Sequence, residues 1–130
     1  MPNVPYIGVT DFASHEQVLQ AVECMPVSCK RRLHVGVMMS YKTLHGIPTQ
    51  TGWEKIWPNG EGLRKIFQPH PNVFNVLHYA DYSEPNLTQT SDLVAAIQKA
   101  GPHVQGLQLD MVWPDPKMVK EVKQKFPRLE

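Results

Sequence analysis

The stretch LHVGVMM, Leu33 to Met39, decides the fold of this chain. It is short, rich in valine, leucine and methionine, and followed after a connection by a helical pattern, as is typical of a buried strand. Three other runs share these features. They are YIGVT at Tyr6 to Thr10, VFNVLHY at Val73 to Tyr79 and VQGLQLD at Val104 to Asp110. The sequence therefore predicts four strands.

Each of the four runs is followed by a stretch with the apolar spacing of an amphipathic helix. The predicted helices run from Ser14 to Met25, from about Glu61 to Phe67, from about Ser91 to Gly101 and from Asp115 to Phe126. Strands that alternate with helices favour a parallel sheet joined by right-handed crossovers. The predicted fold class is therefore α/β, with four βα units.

The predicted sheet has two faces, because side chains along a strand alternate, and the glycines mark one of them. One face takes Gly8, Gly36 and Gly106, and we expect mostly polar side chains beside them. The opposite face is apolar and suits a covering layer of helices. On the glycine face the third strand is predicted to place Asn75, Leu77, Tyr79 and Asp81. The helix-covered face is predicted to hold Ile7, Val9, Val35, Val37, Met39, Phe74, Val76, Leu107 and Leu109.

Two faces of such different character favour a sheet that curls into a barrel. An open doubly wound sheet is covered by helices on both sides, so both of its faces should be apolar. A complete (β/α)8 barrel takes about 250 residues, and this chain has 130. We therefore expect a single domain over residues 1–130 that is half of a TIM-type barrel, completed by further chain, a second copy or a partner. An open flavodoxin-like sheet is the alternative.

Composition gives no sign of a nucleic-acid or membrane partner. The net charge is only +1 and 42% of the residues are hydrophobic, so no strong field would attract an anionic polymer or surface. No signal-peptide pattern or long apolar stretch is present, and a cytoplasmic location is expected. Cys24, Cys29 and the scattered histidines match no zinc pattern, and no nucleotide fingerprint occurs. Neither a metal nor a cofactor is predicted.

A long connection follows the second predicted strand, from Ser40 to Gly60. Loops longer than about 12 to 15 residues are uncommon in compact domains unless they are functional or disordered. In TIM-type barrels the loops after the strands build the active site. This loop is therefore predicted to be a lid or substrate loop that uses Trp53 and Trp57. A loop folded over the surface, with its tryptophans stacked on helices, is the alternative.

The carboxyl ends of the predicted strands carry side chains suited to acid–base chemistry. Such work needs a carboxylate, lysine or histidine held in partial burial, and the predicted catalytic residues are Asp110, Asp81 and Lys42. Asp110 could instead cap a loop, Asp81 could stabilise a turn, and Lys42 could be solvated. His78 is predicted to face the helices as a hydrogen-bonded core histidine. The predicted substrate-binding residues are Thr10, Asp11, Ser40, Tyr79, Gln108, Trp53 and Trp57.

Three short segments resemble strands of the phosphoribosylanthranilate isomerase family. Tyr6-Ile7-Gly8-Val9-Thr10 is similar to the first strand of that family, and His34 to Val37 and Val104 to Leu109 are similar to later strands. The resemblance implies a TIM-type barrel. Of the first-strand pattern, Gly8 and Thr10 carry over.

The resemblance does not extend to the catalytic activity of that family. The catalytic cysteine of the family, its general base, would fall on Ile7, which cannot move a proton. The acid aspartate and the phosphate-binding loops of the family lie in the second half of its barrel. The decarboxylase barrels are similar through Asp11 and Lys42, but their DxKxxD motif is missing after the third strand.

Two functions of different classes are predicted. The first is a barrel enzyme, or its amino-terminal half, that acts on a small phosphorylated metabolite by isomerase-like acid–base chemistry. Its phosphate site is expected in loops of the second half of the barrel. The second is a noncatalytic half-barrel that uses its exposed edge strands to pair with itself or a partner. A homo-oligomer or a separate second half is expected in both cases.

Overall fold

The computed structural model describes residues 6–9, 20, 33–48, 63–69 and 73–130, and these form an α/β fold. One parallel sheet contains β1 (Tyr6–Val9), β2 (Leu33–Ser40), β3 (Val73–Ala80) and β4 (Gly106–Asp110). The helices in the described part of the chain are α1 (Tyr41–Leu44), α2 (Leu63–Ile66), α3 (Thr90–Ala100) and α4 (Pro116–Lys125). The predicted α/β class and the parallel sheet are confirmed.

The strands lie in sequential order, β1-β2-β3-β4, so each is hydrogen-bonded to the next one along the chain. A flavodoxin-like sheet has the order 2-1-3-4-5, with its first strand inside the sheet. Here β1 is bonded to β2 alone among the described strands. Crossovers that are all right-handed and all step in the same direction place their helices on one face.

The face opposite the glycines is the one that the helices cover. Met39, Leu77 and Tyr79 are fully buried, and they belong to one core cluster with the apolar side of α3. That side recurs with helical spacing. Its buried apolar members are Leu93, Ala96, Ile97 and Ala100.

The strand register corrects the predicted faces of β3. Gly36 is paired with Val76, and Val76 is paired with Gly106. Paired residues on neighbouring parallel strands point to the same side of the sheet. The prediction for this strand is therefore wrong: the glycine face takes Phe74, Val76, His78 and Ala80, and it does not take Asn75, Leu77, Tyr79 or Asp81.

The error has a physical reason. β3 contains no glycine, so its sequence does not show which of its residues lie on the glycine face. Its polar residues Asn75 and His78 are three apart, so they must lie on opposite faces. The prediction put Asn75 on the polar glycine face and therefore put His78 on the other one. In the structure the side-chain amide of Asn75 is buried at the amino end of the sheet, where it donates two hydrogen bonds. Its Nδ2 donates to the carbonyls of Gln68 and His103, each at 3.1 Å.

Local signals explain the ends of α3 and α4. Gln89 and Asp92 form a capping box at the start of α3, and Gly101 ends that helix at a φ of 103°. At α4, Asp115 accepts a hydrogen bond from the amide of Met118 at 2.8 Å, and Pro116 takes the first helical position, as predicted. Among the described residues no helix is both long and apolar enough to cross a membrane.

Several predictions fall on residues that the structure does not describe. The described start of the predicted 40–60 loop differs from the prediction, because Ser40 ends β2 and the next four residues form the one-turn helix α1. The first predicted helix also lies outside the described residues, apart from Gln20, which is helical. The other undescribed positions with a predicted role are Thr10, Asp11, Cys24, Cys29, Trp53 and Trp57.

Candidate active site

Three titratable side chains meet at the carboxyl ends of β3 and β4. The Oδ2 atom of Asp110 accepts a hydrogen bond from the Tyr82 hydroxyl at 2.7 Å, and it lies 3.2 Å from Nε2 of His78. The side chain of His78 is 19% exposed and that of Asp110 is 33% exposed. The cluster is therefore partly buried and still reachable from solvent, as an acid–base site requires.

The cluster lies on the glycine face of the sheet. His78 is paired with Met38 on one side and with Gln108 on the other, and the next paired row below contains Gly36 and Gly106. Gln108 is exposed. A predicted substrate-binding residue therefore lies beside His78, above two positions that carry no side chain.

Hydrogen bonding keeps the Asp110 carboxylate ionised. The Tyr82 hydroxyl lowers the pKa of Asp110 most, partial burial opposes that effect, and the hydrogen bond and charge of His78 lower it further. The net pKa lies below the ordinary value for aspartate. Asp110 is therefore a stable anion at neutral pH, able to orient and to stabilise a neighbouring imidazolium.

The loop between β3 and α3 is built around the carboxylate of Asp81. One oxygen, Oδ1, accepts from the amide of Ser83 at 2.9 Å. The other, Oδ2, accepts from the amides of Leu87 and Thr88, each at 3.0 Å, and from the Thr88 hydroxyl at 2.7 Å. Burial alone would raise the pKa of Asp81, but these hydrogen bonds outweigh it and lower the pKa.

Asp81 is a predicted catalytic residue, and its surroundings give it a structural role. The residue is only 1% exposed, and both of its oxygens are occupied by its own loop. A carboxylate with four donors and almost no exposed surface cannot reach a substrate in this state. The turn-stabilising alternative raised from the sequence matches this geometry.

Further hydrogen bonds fix this loop against the end of β4. The side-chain amide of Asn86 donates to the carbonyls of Asp81 and Met111, at 3.2 and 2.7 Å. The amide of Asp81 donates to the carbonyl of Asp110 at 3.1 Å. Met111 has a φ of 56°, a left-handed conformation that is uncommon for a residue other than glycine. The two loops therefore form one preorganised unit around the Asp110 carboxylate.

Large apolar side chains are exposed on these two loops. Trp113 is 74% exposed and Tyr82 is 60% exposed, and Leu87 and Met111 are also exposed. Single exposed apolar residues are ordinary, but here four of them come from the two loops that carry the polar cluster. They supply an apolar surface next to a charged group, the combination found at many ligand sites.

The other predicted site residues separate into different places. Ser40 caps α1, because its Oγ accepts from the amide of Thr43 at 3.0 Å. Lys42 is exposed on α1. Tyr79 is fully buried on the helix-covered face, where its hydroxyl lies 3.0 Å from that of Thr88, and burial raises the pKa of its phenol. Among the described candidates, only Gln108 and Asp110 lie together at the site.

Sequence reasoning missed His78 and Tyr82 as members of the site. The sequence prediction puts His78 on the wrong face, together with the rest of its strand. The one signal for the correct face is that His78 is three residues from the buried Asn75, so the two must point to opposite sides of the sheet. Nothing in the local sequence of Tyr82 predicts that its hydroxyl reaches β4, because the contact joins residues 28 positions apart.

A second histidine–aspartate pair lies on the helix-covered side. Nε2 of His45 is 2.7 Å from Oδ1 of Asp92, and the His45 ring packs on Tyr41 with 4.2 Å between the ring centroids. Oδ2 of Asp92 accepts from the amide of Gln89 at 2.7 Å as part of the capping box. This pair connects the end of α1 to the start of α3.

The described residues contain no group of three histidine, cysteine, aspartate or glutamate side chains placed to hold a metal ion. Comparison of the chain with known proteins gave no matching family model, no matching curated protein and no matching solved structure.

Proposed function

We propose that this chain is the amino-terminal half of a TIM-type barrel and carries part of an active site at the carboxyl ends of its strands. Two observations support the barrel. The four parallel strands follow one another without a reversal of order, and Gly36 and Gly106 lie on the face turned away from α3. A barrel keeps such a face inward and holds its chemistry at the carboxyl ends.

The proposed activity is isomerase-like proton transfer on a small metabolite. The observation that carries it is the convergence of His78 and Tyr82 on one carboxylate oxygen of Asp110. A histidine beside a stable anion can accept a proton from a carbon next to a carbonyl group and return it at the neighbouring carbon. Gln108 is paired with His78, and in this proposal its amide would donate a hydrogen bond to the carbonyl oxygen of the substrate.

The proposed substrate is phosphorylated, with its phosphate held by loops of the other half of the barrel. Barrels of this type place their phosphate site after the seventh and eighth strands. The described loops after β3 and β4 contain carboxylates and no lysine or arginine. This half would therefore hold the reacting end of the substrate.

Exchange of substrate hydrogen for deuterium tests the reaction class directly. The protein is incubated in D₂O with short aldose and ketose phosphates, and loss of the proton next to the carbonyl group is followed by proton NMR. The proposal predicts exchange that depends on protein concentration and is strongly reduced in Asp110→Asn. Glu84→Gln, which changes an exposed carboxylate of the adjacent loop, is the matched control. Absence of exchange with every sugar phosphate would contradict the proposed activity.

A second candidate is a noncatalytic half-barrel that pairs with another copy of itself, and the edge of the sheet favours it. Among the described strands β4 is bonded to β3 alone. Beside β4 lies a groove of about 360 Å³ between the strand and α4. Its apolar lining includes Leu107, Leu109, Met118, Val119 and Val122.

Two copies joined edge to edge would form eight parallel strands related by a twofold axis, and they would cover this apolar surface. Analytical ultracentrifugation distinguishes a dimer of this chain from a monomer. A dimer that Val119→Glu converts to monomer supports self-pairing. A wild-type monomer at high concentration contradicts it.

A further inference from the structure

We infer that His78 is the proton-transferring residue of this site, acting through its Nδ1 atom, and that Asp110 and Tyr82 are positioning residues. The inference rests on the proposed acid–base function and assigns its parts to individual atoms. The sequence predicts catalytic roles for Asp110, Asp81 and Lys42, and the hydrogen-bond network instead favours His78 as the base.

The ionised carboxylate of Asp110 fixes which groups in this network donate hydrogen bonds. An ionised carboxylate only accepts hydrogen bonds, and two side chains converge on Oδ2 of Asp110. The Tyr82 hydroxyl must therefore donate to it. Nε2 of His78, 3.2 Å away, must carry a hydrogen and donate as well. A neutral imidazole has only one N–H group, so the network assigns the proton to Nε2 and leaves a lone pair on Nδ1.

The Nδ1 lone pair of His78 is the part of the ring that a substrate could use. No described residue donates a hydrogen bond to Nδ1 of His78, although the side chain is only 19% exposed and its Nε2 contacts Asp110. The neighbours of His78 on the glycine face are Met38 and Gln108, and neither is charged. Within the described residues, the charged group that contacts the ring is thus Asp110 from β4, which in turn accepts from Tyr82 of the loop after β3.

His78 and Asp110 are the two possible bases of this cluster. Two donors on Oδ2 make Asp110 a weak base, because its negative charge is already stabilised. His78 keeps an unoccupied lone pair on Nδ1, and a general base needs such a lone pair within reach of the proton that it takes. A carboxylate behind the imidazole fixes the ring orientation and stabilises the imidazolium that forms when it takes a proton. In other histidine-based sites an aspartate orients the catalytic histidine in the same way.

The step balances without another reagent. The lone pair of Nδ1 takes a proton from the carbon next to the substrate carbonyl, and the electron pair of that C–H bond forms the carbon–carbon double bond of an enolate. The Gln108 amide donates to the enolate oxygen. The hydroxyl proton on the carbon that lost its hydrogen passes to the enolate oxygen, and the imidazolium returns its proton to the former carbonyl carbon. The hydroxyl-bearing carbon is then the new carbonyl carbon, and His78 is neutral again.

Nitrogen-15 NMR of the histidine rings in the wild-type protein tests the assignment without a substrate. At a pH where His78 is neutral, we expect the spectral pattern of a protonated Nε2 and an unprotonated Nδ1. We expect Asp110→Asn to shift the ring toward a mixture of the two tautomers. His78 with its proton on Nδ1 in the wild-type protein would overturn the inference.

Deuterium exchange supplies the second test. His78→Gln should lower the exchange rate at least about 100-fold, the usual contribution of a general base. His103→Gln, a histidine at the opposite end of the sheet, should leave it unchanged. Exchange that survives in folded His78→Gln overturns the inference and leaves the proposed function standing. No exchange by the wild-type protein contradicts the proposed function, and the tautomer of His78 is then still decided by NMR.

Discussion

The Tyr82 hydroxyl donates to Oδ2 of Asp110 at 2.7 Å, although the Tyr82 ring is 60% exposed. An exposed tyrosine usually leaves its hydroxyl in water. Here the loop after β3 holds the residue in place, because Asp81 orders that loop from within and Asn86 ties it to Met111. The loop thus brings a donor from one strand end to a carboxylate on the next.

Replacing Tyr82 with phenylalanine should raise the pKa of Asp110. The hydroxyl is the largest influence that lowers this pKa, and its removal takes a hydrogen bond from the ionised form only. Carbon-13 NMR of the side-chain carboxyl group measures the titration. Tyr41→Phe is the control, since it leaves both partners of Asp110 in place. An unchanged Asp110 titration in Tyr82→Phe would show that the hydrogen bond is not formed in solution.

The same change should alter the acid stability of the protein. The pKa of Asp110 is lowered on folding, so its contribution to stability is present above the ordinary aspartate value and is lost as the pH falls through the folded-state pKa. With its pKa closer to the ordinary value, Asp110 in Tyr82→Phe contributes less over that whole window. Urea unfolding at several acidic pH values should therefore show a shallower decline in stability than in the wild-type protein.

Asp81→Asn should destabilise the protein by about 2–4 kcal/mol. An asparagine has one acceptor oxygen where the carboxylate has two. In either orientation its amide hydrogens would face a donor, either the amide of Ser83 or those of Leu87 and Thr88. Urea unfolding measures the loss. Glu84→Gln, on the same loop but exposed, should stay within about 0.5 kcal/mol of the wild-type value. Equal stability of the two variants would contradict the central place of Asp81 in the loop.

Gly106→Ala should destabilise the sheet by about 1–3 kcal/mol. A Cβ atom at this position would lie 2.9 Å from Cε1 of Phe74, closer than real Cβ atoms approach such a neighbour. Shortening the neighbour should relieve the clash, so Phe74→Leu and Gly106→Ala together should cost less than the sum of the two single changes. Thermal unfolding of the four proteins gives the coupling. Strict additivity would argue that the ring does not cover Gly106.

Much of the fold was predictable because its signals are local. Asp115-Pro116 marks the start of α4, and the spacing of Leu93 and Ile97 reveals the buried side of α3. The phase of β3 was not predictable, since it depends on pairing with β2 and β4. A shift by one residue exchanges every side chain between the two faces.

The candidate site was predictable only in part, for the same reason. Asp110 and Gln108 follow from their places at the end of a strand. Tyr82 and His78 join them through contacts between segments far apart in the sequence. Asp81 has the residue type and position of a catalytic acid, and only the coordinates show that its own loop occupies both oxygens.

Amide chemical-shift mapping with a mixture of sugar phosphates tests most directly whether the strand ends around Asp110 form a ligand site. In a nitrogen-15 spectrum of the whole protein, we expect saturable shifts at residues 78–82 and 108–113. Residues 116–125 of α4 should not respond. Shifts confined to α4 and the groove beside β4, or no saturable shifts at all, would contradict the account.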